Sequence, residues 1–470
     1  MKSSAMTLLE RRAAISLAGI FSTRMLGLFM ILPVFALYSE HLEGSTPLLI
    51  GLAIGVYGFT QAMFQIPFGM LSDRFGRKPM IYIALLIFAT GSVVAAMADS
   101  IVGVIIGRAL QGAGAIAAVV MALAADLTAE EHRLKAMAII GASMGLSFSV
   151  ALILGPVMDS WVGVDGIFWF TAVLAIVAIV LLKFWVPDPE VSRFHRDTEP
   201  VPSQFKNVLK DKQLLRLDYG IFALHVILTA TFVAMPLTLR DQAGLPSADH
   251  WMVYLAVVVT ALVGMVPFII IAEKKRKMKQ IFVGAIILLM LSQIMLVFVT
   301  GSVIGIVIAL FMFFLAFNTL EASLPSLIAK SAPADKKGTA MGVYSSSQFF
   351  GAFVGGITGG WLYGYAGTAT VFAFCAVMAG VWMLLAMTMK PPRHLGTYMI
   401  NVGEVSEERA LSLGEEIRNV KGVVEAVVLV EDGVAYLKID SALVNEEDLI
   451  AFSVNDDDDD SVRDASVAAV

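Results

Sequence analysis

From Leu48 to Ser72, and again from Pro79 to Ala98, the chain carries no charged side chain, and between the two runs Asp73, Arg74, Arg77 and Lys78 are crowded together. Backbone in hydrocarbon must satisfy its own N–H and C=O groups, which leaves helices or closed barrels. About twenty apolar residues in a helix cross the hydrocarbon core. The two runs therefore predict two membrane helices joined by a tight, charged turn. The pattern continues along the chain. Apolar stretches near 13–38, 48–72, 79–98, 101–125, 136–158 and 164–187 are followed, after a polar connection, by others near 217–240, 250–272, 280–300, 303–329, 338–362 and 367–389. Read by length and periodicity, they predict twelve helices and an all-α membrane protein.

Composition agrees where it bears on this. Of 470 residues, 58% are hydrophobic and 15% charged, with a mean hydropathy of +0.81, outside the range of soluble domains. The first apolar stretch is long enough to span and lacks a small-residue cleavage site, so it reads as a retained helix and not a signal peptide. The single Cys375 excludes disulfides and thiolate metal sites. No His or Cys cluster has metal-ligand spacing, and there is no Gly-x4-Gly-Lys-Ser/Thr phosphate loop. No cofactor, no metal and no enzymatic activity are expected. The net charge of −6 comes from acids gathered near the C-terminus, while the bases border the membrane. Nothing in that distribution calls for a nucleic-acid partner.

An even number of spans puts both termini on one side. Lys and Arg concentrate in the N-terminal segment and in the loops after the second, fourth, sixth, eighth and tenth helices, whereas the opposite loops carry Arg240 alone. By the positive-inside rule the termini and the 73–78 turn are cytoplasmic. The chain also repeats internally. Pro67-Phe68 through Lys78 aligns with Pro267-Phe268 through Met278, so that Asp73 falls on Glu273, Arg74 on Lys274 and Arg77 on Lys277; Ala136-Met137 aligns with Ala340-Met341, and Phe168 with Phe372. Two six-helix halves, 1–187 and 217–390, are thus expected around a polar linker, 188–216. In that linker Phe205, Val208, Leu209 and Leu215 interleave with Lys206, Lys210, Lys212 and Arg216. The segment fits either an amphipathic helix on the cytoplasmic leaflet or a solvated connection.

The run Gly69-Met-Leu-Ser-Asp73-Arg74-Phe-Gly76-Arg77-Lys78 resembles motif A of the major facilitator superfamily, which lies between helices two and three. Arg108-Ala-Leu-Gln111-Gly112-Ala-Gly114 is similar to that family's motif B on helix 4. Gly141, Gly145, Gly155 and Pro156 are similar to its antiporter motif C, although Met158-Asp159 stands where that motif usually has glycine. The resemblance implies the twelve-helix major facilitator fold, with substrate bound between two parallel halves near the midplane, in the inner membrane of a bacterium. It implies proton coupling at Arg108. It further implies a cytoplasmic gate in which Asp73 caps the eleventh helix around Gly338 to Gly342, where the dipole favours negative charge. Gly69 would let that helix approach, and Arg77 would bridge to Asp126.

Ionisable groups inside membrane helices are functional candidates because their burial is costly. Those expected in the interior are Arg24, Arg108, His225 and Glu321, while Asp126, Lys183 and Asp218 sit nearer helix ends. Arg108, Gln111 and Gly112 share one face; the arginine either stands beside a cavity or bonds neighbouring carbonyls. Glu321 has Asn318 one turn earlier, and either exchanges a proton when a cavity opens or serves as a packing acid bonded to Asn318 or a serine. His225 either relays protons or is a satisfied structural histidine. Tyr57, Gln61 and Gln65 form one polar stripe, Tyr344 and Gln348 another; either stripe lines the cavity or joins helices. The glycines 351, 355, 356, 359 and 360 read as close helix packing.

After Pro391-Pro392 the pattern changes. Thr397 to Val402 alternates as a strand does. Ser406 with Glu407 and Glu408 opens a helix to about Val420. Val423 to Leu429 and Val434 to Ile439 form a hairpin across Glu431-Asp432-Gly433, and Asn445 to Ala451 reads as a short helix. This order over 396–455 resembles a ferredoxin-like module of the heavy-metal-associated kind, without the cysteine pair that holds metal there. A module of about sixty residues is marginal alone, so it leans on the membrane part or self-associates. The acidic tail, 456–470, holds Asp456 to Asp460.

Together these readings predict a proton-coupled secondary transporter whose partners are the bilayer, protons and a small-molecule substrate. Spans rich in Met and Phe suit adaptable apolar sites, and export of a lipophilic molecule is the expectation. The alternatives are a symporter importing a metabolite and a membrane sensor signalling through its cytoplasmic module.

Overall fold

The structure, a computed structural model, describes residues 6–189, 201, 204–333, 336–390, 396–403, 405–430, 433–440, 443–445, 448–449 and 451–453. Helices dominate: α1 (Leu8–Phe29), α2 (Pro47–Phe75), α3 (Arg77–Ala96) and α4, which runs over Ile101–Asp126 with a break after Ala113. Glu130–Phe184 is two helices, α5 and α6, joined at Gly163, where φ is 69°. Then come α7 (Lys212–Leu237), α8 (His250–Lys274), α9 (Met278–Phe298), α10 (Val303–Ser331), α11 (Lys337–Ala366) and α12 (Thr368–Met387). Among the described residues, nine helical segments are long and apolar enough to cross a membrane. One of these is the α5–α6 pair, and α1 and α11 lie outside the nine, so the bundle has twelve helices.

Local chemistry sets the helix starts. Thr7 and Glu10 form a reciprocal capping box on α1. Thr46 caps α2 ahead of Pro47 at the first helical position, and Asp211 accepts from the N–H groups of Gln213 and Leu214 to open α7. Between α2 and α3 the whole turn is Gly76, whose φ of 92° suits glycine alone.

Two boundaries differ from the sequence reading. The first span does not run unbroken to residue 38. It stops at Phe29, turns through 30–34 and resumes as a short helix, Phe35–Tyr38, because Pro33 has no N–H to continue the ladder. The linker helix is a single turn, Phe205–Val208, and Lys212 already belongs to α7.

The chain divides into two compact units, one formed by Met1–Ile328 and Gly338–Pro391, the other by Ala329–Lys337 and Pro392–Val470. In the first, Leu17, Phe21, Met25, Ile81, Leu85, Ile116, Val120 and Leu182 form a core where α1, α3, α4, α5 and α6 meet. Helix α7 is buried along nearly its whole length. In the second unit, β1 (Gly396–Asn401), α13 (Glu407–Arg418), β2 (Val423–Leu429) and β3 (Val434–Ile439) make a three-stranded antiparallel sheet in the order β1-β3-β2. Tyr436 of β3 faces Met399 on one side and Val427 on the other. Ile400, Leu413, Ile417, Ala426, Leu437 and Ile439 are its core. Ser406 caps α13 through the Arg409 N–H. Within this unit Lys438 donates from Nζ to the carbonyl oxygens of Lys330 and Ala332. Most of the expected last helix, the hairpin residues Glu431 and Asp432, Pro391-Pro392 and the acidic tail lie outside the described residues.

Candidate functional site

Two polar clusters lie in the interior of the helical unit. The first belongs to the N-terminal half. Arg24 on α1 donates from Nη2 to Gln61 Oε1 on α2 and, at 3.4 Å, to the Gln111 carbonyl on α4. Gln61 in turn donates to Gln65 Oε1 at 3.4 Å. Arg108 donates from Nη1 to Gln111 Oε1 at 2.9 Å and from Nε to the Ala53 carbonyl at 3.4 Å, and Gln111 Nε2 donates to Ser92 Oγ at 2.8 Å. Tyr57 sits between the two guanidinium groups, with its ring centre 5.6 Å from Arg24 Cζ and 5.0 Å from Arg108 Cζ. Both arginines are 1% exposed.

The second cluster belongs to the C-terminal half. Gln348 on α11 donates from Nε2 to Glu321 Oε1 on α10 at 3.0 Å, and the same nitrogen is 3.0 Å from His225 Nε2 on α7. His225 Nδ1 lies 3.1 Å from the Ile221 carbonyl. Nδ1 then carries the proton and Nε2 accepts from Gln348. The sequence reading joined Glu321 to Asn318, one turn away. Among the described residues that pairing does not form: Asn318 Nδ2 has no partner, as is true of Glu321 Oε2, Tyr344 OH and both Asp218 oxygens. The partner of the acid comes from α11, which spacing along α10 cannot reveal.

A narrow cavity of about 30 Å³ touches both clusters. Tyr57 reaches it from the N-terminal half and His225, Thr229 and Gln348 from the other, and Met25, Leu28, Ile54 and Phe349 supply apolar wall. Aromatic rings extend this wall, with Phe148 4.8 Å from Phe29 and 5.2 Å from Phe317. Of the two polar stripes, Tyr57 and Gln348 border the cavity, while Gln61 and Gln65 are spent on bonds inside the first half.

The charged turn forms a third group. Arg77 pairs with Asp73 and with Asp126, the latter at 3.2 Å, and donates to Ser72 Oγ at 2.7 Å. The Arg77 and Asp126 side chains are buried, whereas Asp73 remains one-third exposed. Lys78 reaches Asp188 and the Val186 carbonyl beyond α6, and Arg74 lies over the Phe75 ring. The partner given to Asp73 by the resemblance was the start of α11. Among the described residues its partner is Arg77 instead, and Thr339 of α11 bonds the Val201 N–H and Gln204. Gly69 admits α4 and not α11: a Cβ there would meet Ala118 Cβ at 3.3 Å.

Next to this network Glu10 accepts from the Ala129 N–H at 2.8 Å and lies 2.9 Å from His132 Nδ1. Glu10 stands in the first turn of α1, ahead of the apolar stretch. Burial alone would raise its carboxyl, but the Ala129 and Thr7 N–H groups, with the His132 and Thr7 side chains, hold it at about 2.

At the other end of the interface the halves meet backbone to backbone. A Cβ on Gly51 would overlap the Gly356 carbonyl oxygen, one on Gly58 the Phe349 carbonyl, and one on Gly360 the Pro47 carbonyl. Gly55 is equally committed, to Phe353. Gly351, Gly355 and Gly359 press instead on Phe222, Val226 and Ala230 of α7, and Gly155 on the Met30 carbonyl where α1 stops. Beside this seam Arg240 makes a bidentate pair with Glu40 at 2.6 and 2.9 Å, across the two halves. Sequence reasoning missed this pair, although Arg240 stood out as the lone base on its side.

The sequence model of the Major Facilitator Superfamily matches residues 17–356 and 279–398. The chain belongs to the Major Facilitator Superfamily. It is 48% identical over 437 residues to the inner membrane transport protein YajR of Escherichia coli, covering 93% of this chain and 96% of that one. An uncharacterized transporter of Buchnera aphidicola (BU466) is 37% identical over 74% of this chain and 90% of its own. The multidrug resistance protein MdtH of Proteus mirabilis is 25% identical over 72% and 84%. In three dimensions the fold is shared with the human organic anion transporter MFSD10 (TM-score 0.61, 17% identity, 81% of this chain and 100% of that one). It is also shared with the nucleoside transporter NupG (TM-score 0.64, 14% identity, 80% and 99%). The protein is a multi-pass membrane transporter of this family.

Proposed function

We propose that the protein is a proton-coupled secondary transporter of the bacterial inner membrane, with both termini in the cytoplasm, that exports a lipophilic small molecule by alternating access. The observation that carries the reading is the Glu321–Gln348–His225 chain beside a cavity walled by both halves. An acid in the membrane interior with one oxygen unpartnered is costly to hold without a role. Placed at the interface of two rocking halves, it can load a proton from one side and release it to the other. Gln348 ties the acid to His225, so loading would be felt on α7, α10 and α11 together. The names of the relatives, an inner membrane transport protein and a multidrug resistance protein, support the location and the direction. The positive loops support the orientation, and the apolar, aromatic wall supports a lipophilic substrate.

The charged turn is read as the cytoplasmic gate and the glycine seam as its periplasmic counterpart. The strand order β1-β3-β2 with α13 supports a ferredoxin-like reading of the C-terminal module, and its small size favours self-association. Purified protein in liposomes tests the transport reading. An imposed pH gradient is expected to drive substrate-dependent proton flux with a panel of lipophilic ions and metabolites, and Glu321→Gln to abolish it. Binding without flux in either orientation would replace transport by sensing through the C-terminal module.

A further inference from the structure

The N-terminal cluster holds two cations and no acid. Arg24 and Arg108 have neutral partners only: Gln61 Oε1 and the Gln111 carbonyl for the first, Gln111 Oε1 and the Ala53 carbonyl for the second. Among the described residues neither makes an ion pair. The amide N–H groups of Gln61 and Gln111 are donated to Gln65 and Ser92. Among the described residues Arg24 Nε and Nη1, Arg108 Nη2 and the Tyr57 hydroxyl are buried without a well-formed hydrogen bond, the phenol lying against both guanidinium groups. Leaving a buried charge without its partner is costly, and here two charges stand without counter-charges, among the described residues, around one phenol. No acid among the described residues balances the two guanidinium charges.

We propose that Arg24, Arg108 and Tyr57 form the binding site for an anionic group on the transported molecule, a carboxylate or a group of similar geometry, so that the substrate class is amphiphilic organic anions. The proposal rests on the transporter reading for the word substrate, and on the cluster alone for the word anion. The donor chemistry suits such a ligand. A carboxylate accepts two N–H bonds from one guanidinium and has lone pairs left for a second donor, which the other arginine or the Tyr57 hydroxyl supplies. Tyr57 is the member that borders the cavity, so it marks the path by which the head group arrives. Beyond it the wall is Met25, Leu28, Ile54 and Phe349, suited to an apolar body. The acids Glu321 and Asp218 belong to the opposite half and, among the described residues, pair with neither arginine. Planar recognition also explains the residue type, since guanidinium offers a fixed fork of donors where lysine offers a point charge.

The test uses the full chain in lipid nanodiscs and two fluorescent probes of one shape and opposite charge, pyrenebutyrate and pyrenebutylammonium, read by energy transfer from tryptophan. The carboxylate is expected to bind at least tenfold more tightly than the ammonium. Arg24→Gln and Arg108→Gln should each remove that preference, while Arg108→Lys keeps part of it. Tighter binding of the ammonium, or unchanged carboxylate affinity in either Gln variant, overturns the proposal. Should the Gln variants not fold, Tyr57→Phe decides, since it removes one hydroxyl: a three- to tenfold loss for the carboxylate alone is expected, and no change overturns the proposal. Arginine-dependent carboxylate binding without flux would keep the anion site and end the transporter reading. Ammonium-driven flux indifferent to the arginines would do the reverse.

Discussion

The two ends of the interface between the halves are built from opposite materials. At one end α2 and α11 touch through backbone, Gly51, Gly55 and Gly58 against Gly356, Phe353 and Phe349, and the Glu40–Arg240 pair crosses beside them. At the other end the conspicuous charges, among the described residues, pair within one half. Asp73, Arg77 and Asp126 are bonded to one another inside the N-terminal half. The glycine end is therefore closed by contact between halves, and the charged end is held ready within one of them. Apolar close packing has no polar partner to find again after it opens, whereas a carboxylate such as Asp73, one-third exposed, can exchange Arg77 for another donor. A seam of backbone and a transferable charge suit the two alternating gates proposed above.

Substitution can break this contrast most forcefully at the seam. A valine at Gly356 would drive its side chain into the Gly51 carbonyl and the Gly55 backbone. Transport is expected to fall by about a hundredfold or more, as a misplacement of roughly 1 Å does elsewhere, with protein still in the membrane. Spin-label distances between α2 and α11 at that end should lengthen; unchanged distances would show that the seam does not close the gate. The charged end should respond next, and mainly through the stability of one half. Asp126→Asn leaves buried Arg77 without one of its acids, at a cost of about 3 kcal/mol. Asp73→Asn removes an exposed partner and should cost about 1 kcal/mol or less while still weakening transport, as measured by thermal unfolding beside proteoliposome flux. Normal transport by Asp73→Asn would remove that residue from the gate.

A smaller effect is expected at Glu40→Gln. Its pair with Arg240 is over one-third exposed, so about 0.5–1 kcal/mol is at stake. The balance between conformers should move up to about fivefold, and less at high salt. An effect of similar size tracks pH at the charged end. Because the Glu10 carboxyl is held at about 2 against an ordinary 4.5, its stabilisation is fully present above 4.5 and is lost as pH falls toward 2. Glu10→Gln is expected to cost about 1 kcal/mol, the scale of a helix cap, with a melting difference constant from pH 5 to 8 and closing below 4.5. A difference that instead grows on acidification would assign the effect to His132.

Much of the fold was readable because hydrocarbon is an undemanding solvent: length and absence of charge suffice to place α2, α3 and α8 within a few residues. The tight turn was readable from Gly76 among charges. The stop of α1 was harder, since Pro33 lies inside an apolar run that is long enough without it. In the interior, the sequence named Arg24, Arg108, Tyr57, His225 and Glu321 as costly residues in apolar surroundings. It set Arg108 beside Gln111 on one helix, as the structure does, and Glu321 beside Asn318 on another, where the structure instead brings Gln348 from α11.

What the sequence alone determined is the set of spans, the internal repeat and the identity of the polar residues admitted to the membrane. Each follows from the free energy of moving a residue from water to hydrocarbon, a local quantity. Only the tertiary structure decided that Gln348 holds Glu321, that Arg240 reaches Glu40, and that, among the described residues, two arginines share a tyrosine and no acid. Those are contacts between helices distant in sequence, and their directions depend on how the helices rotate and cross. Hydropathy carries no information about either.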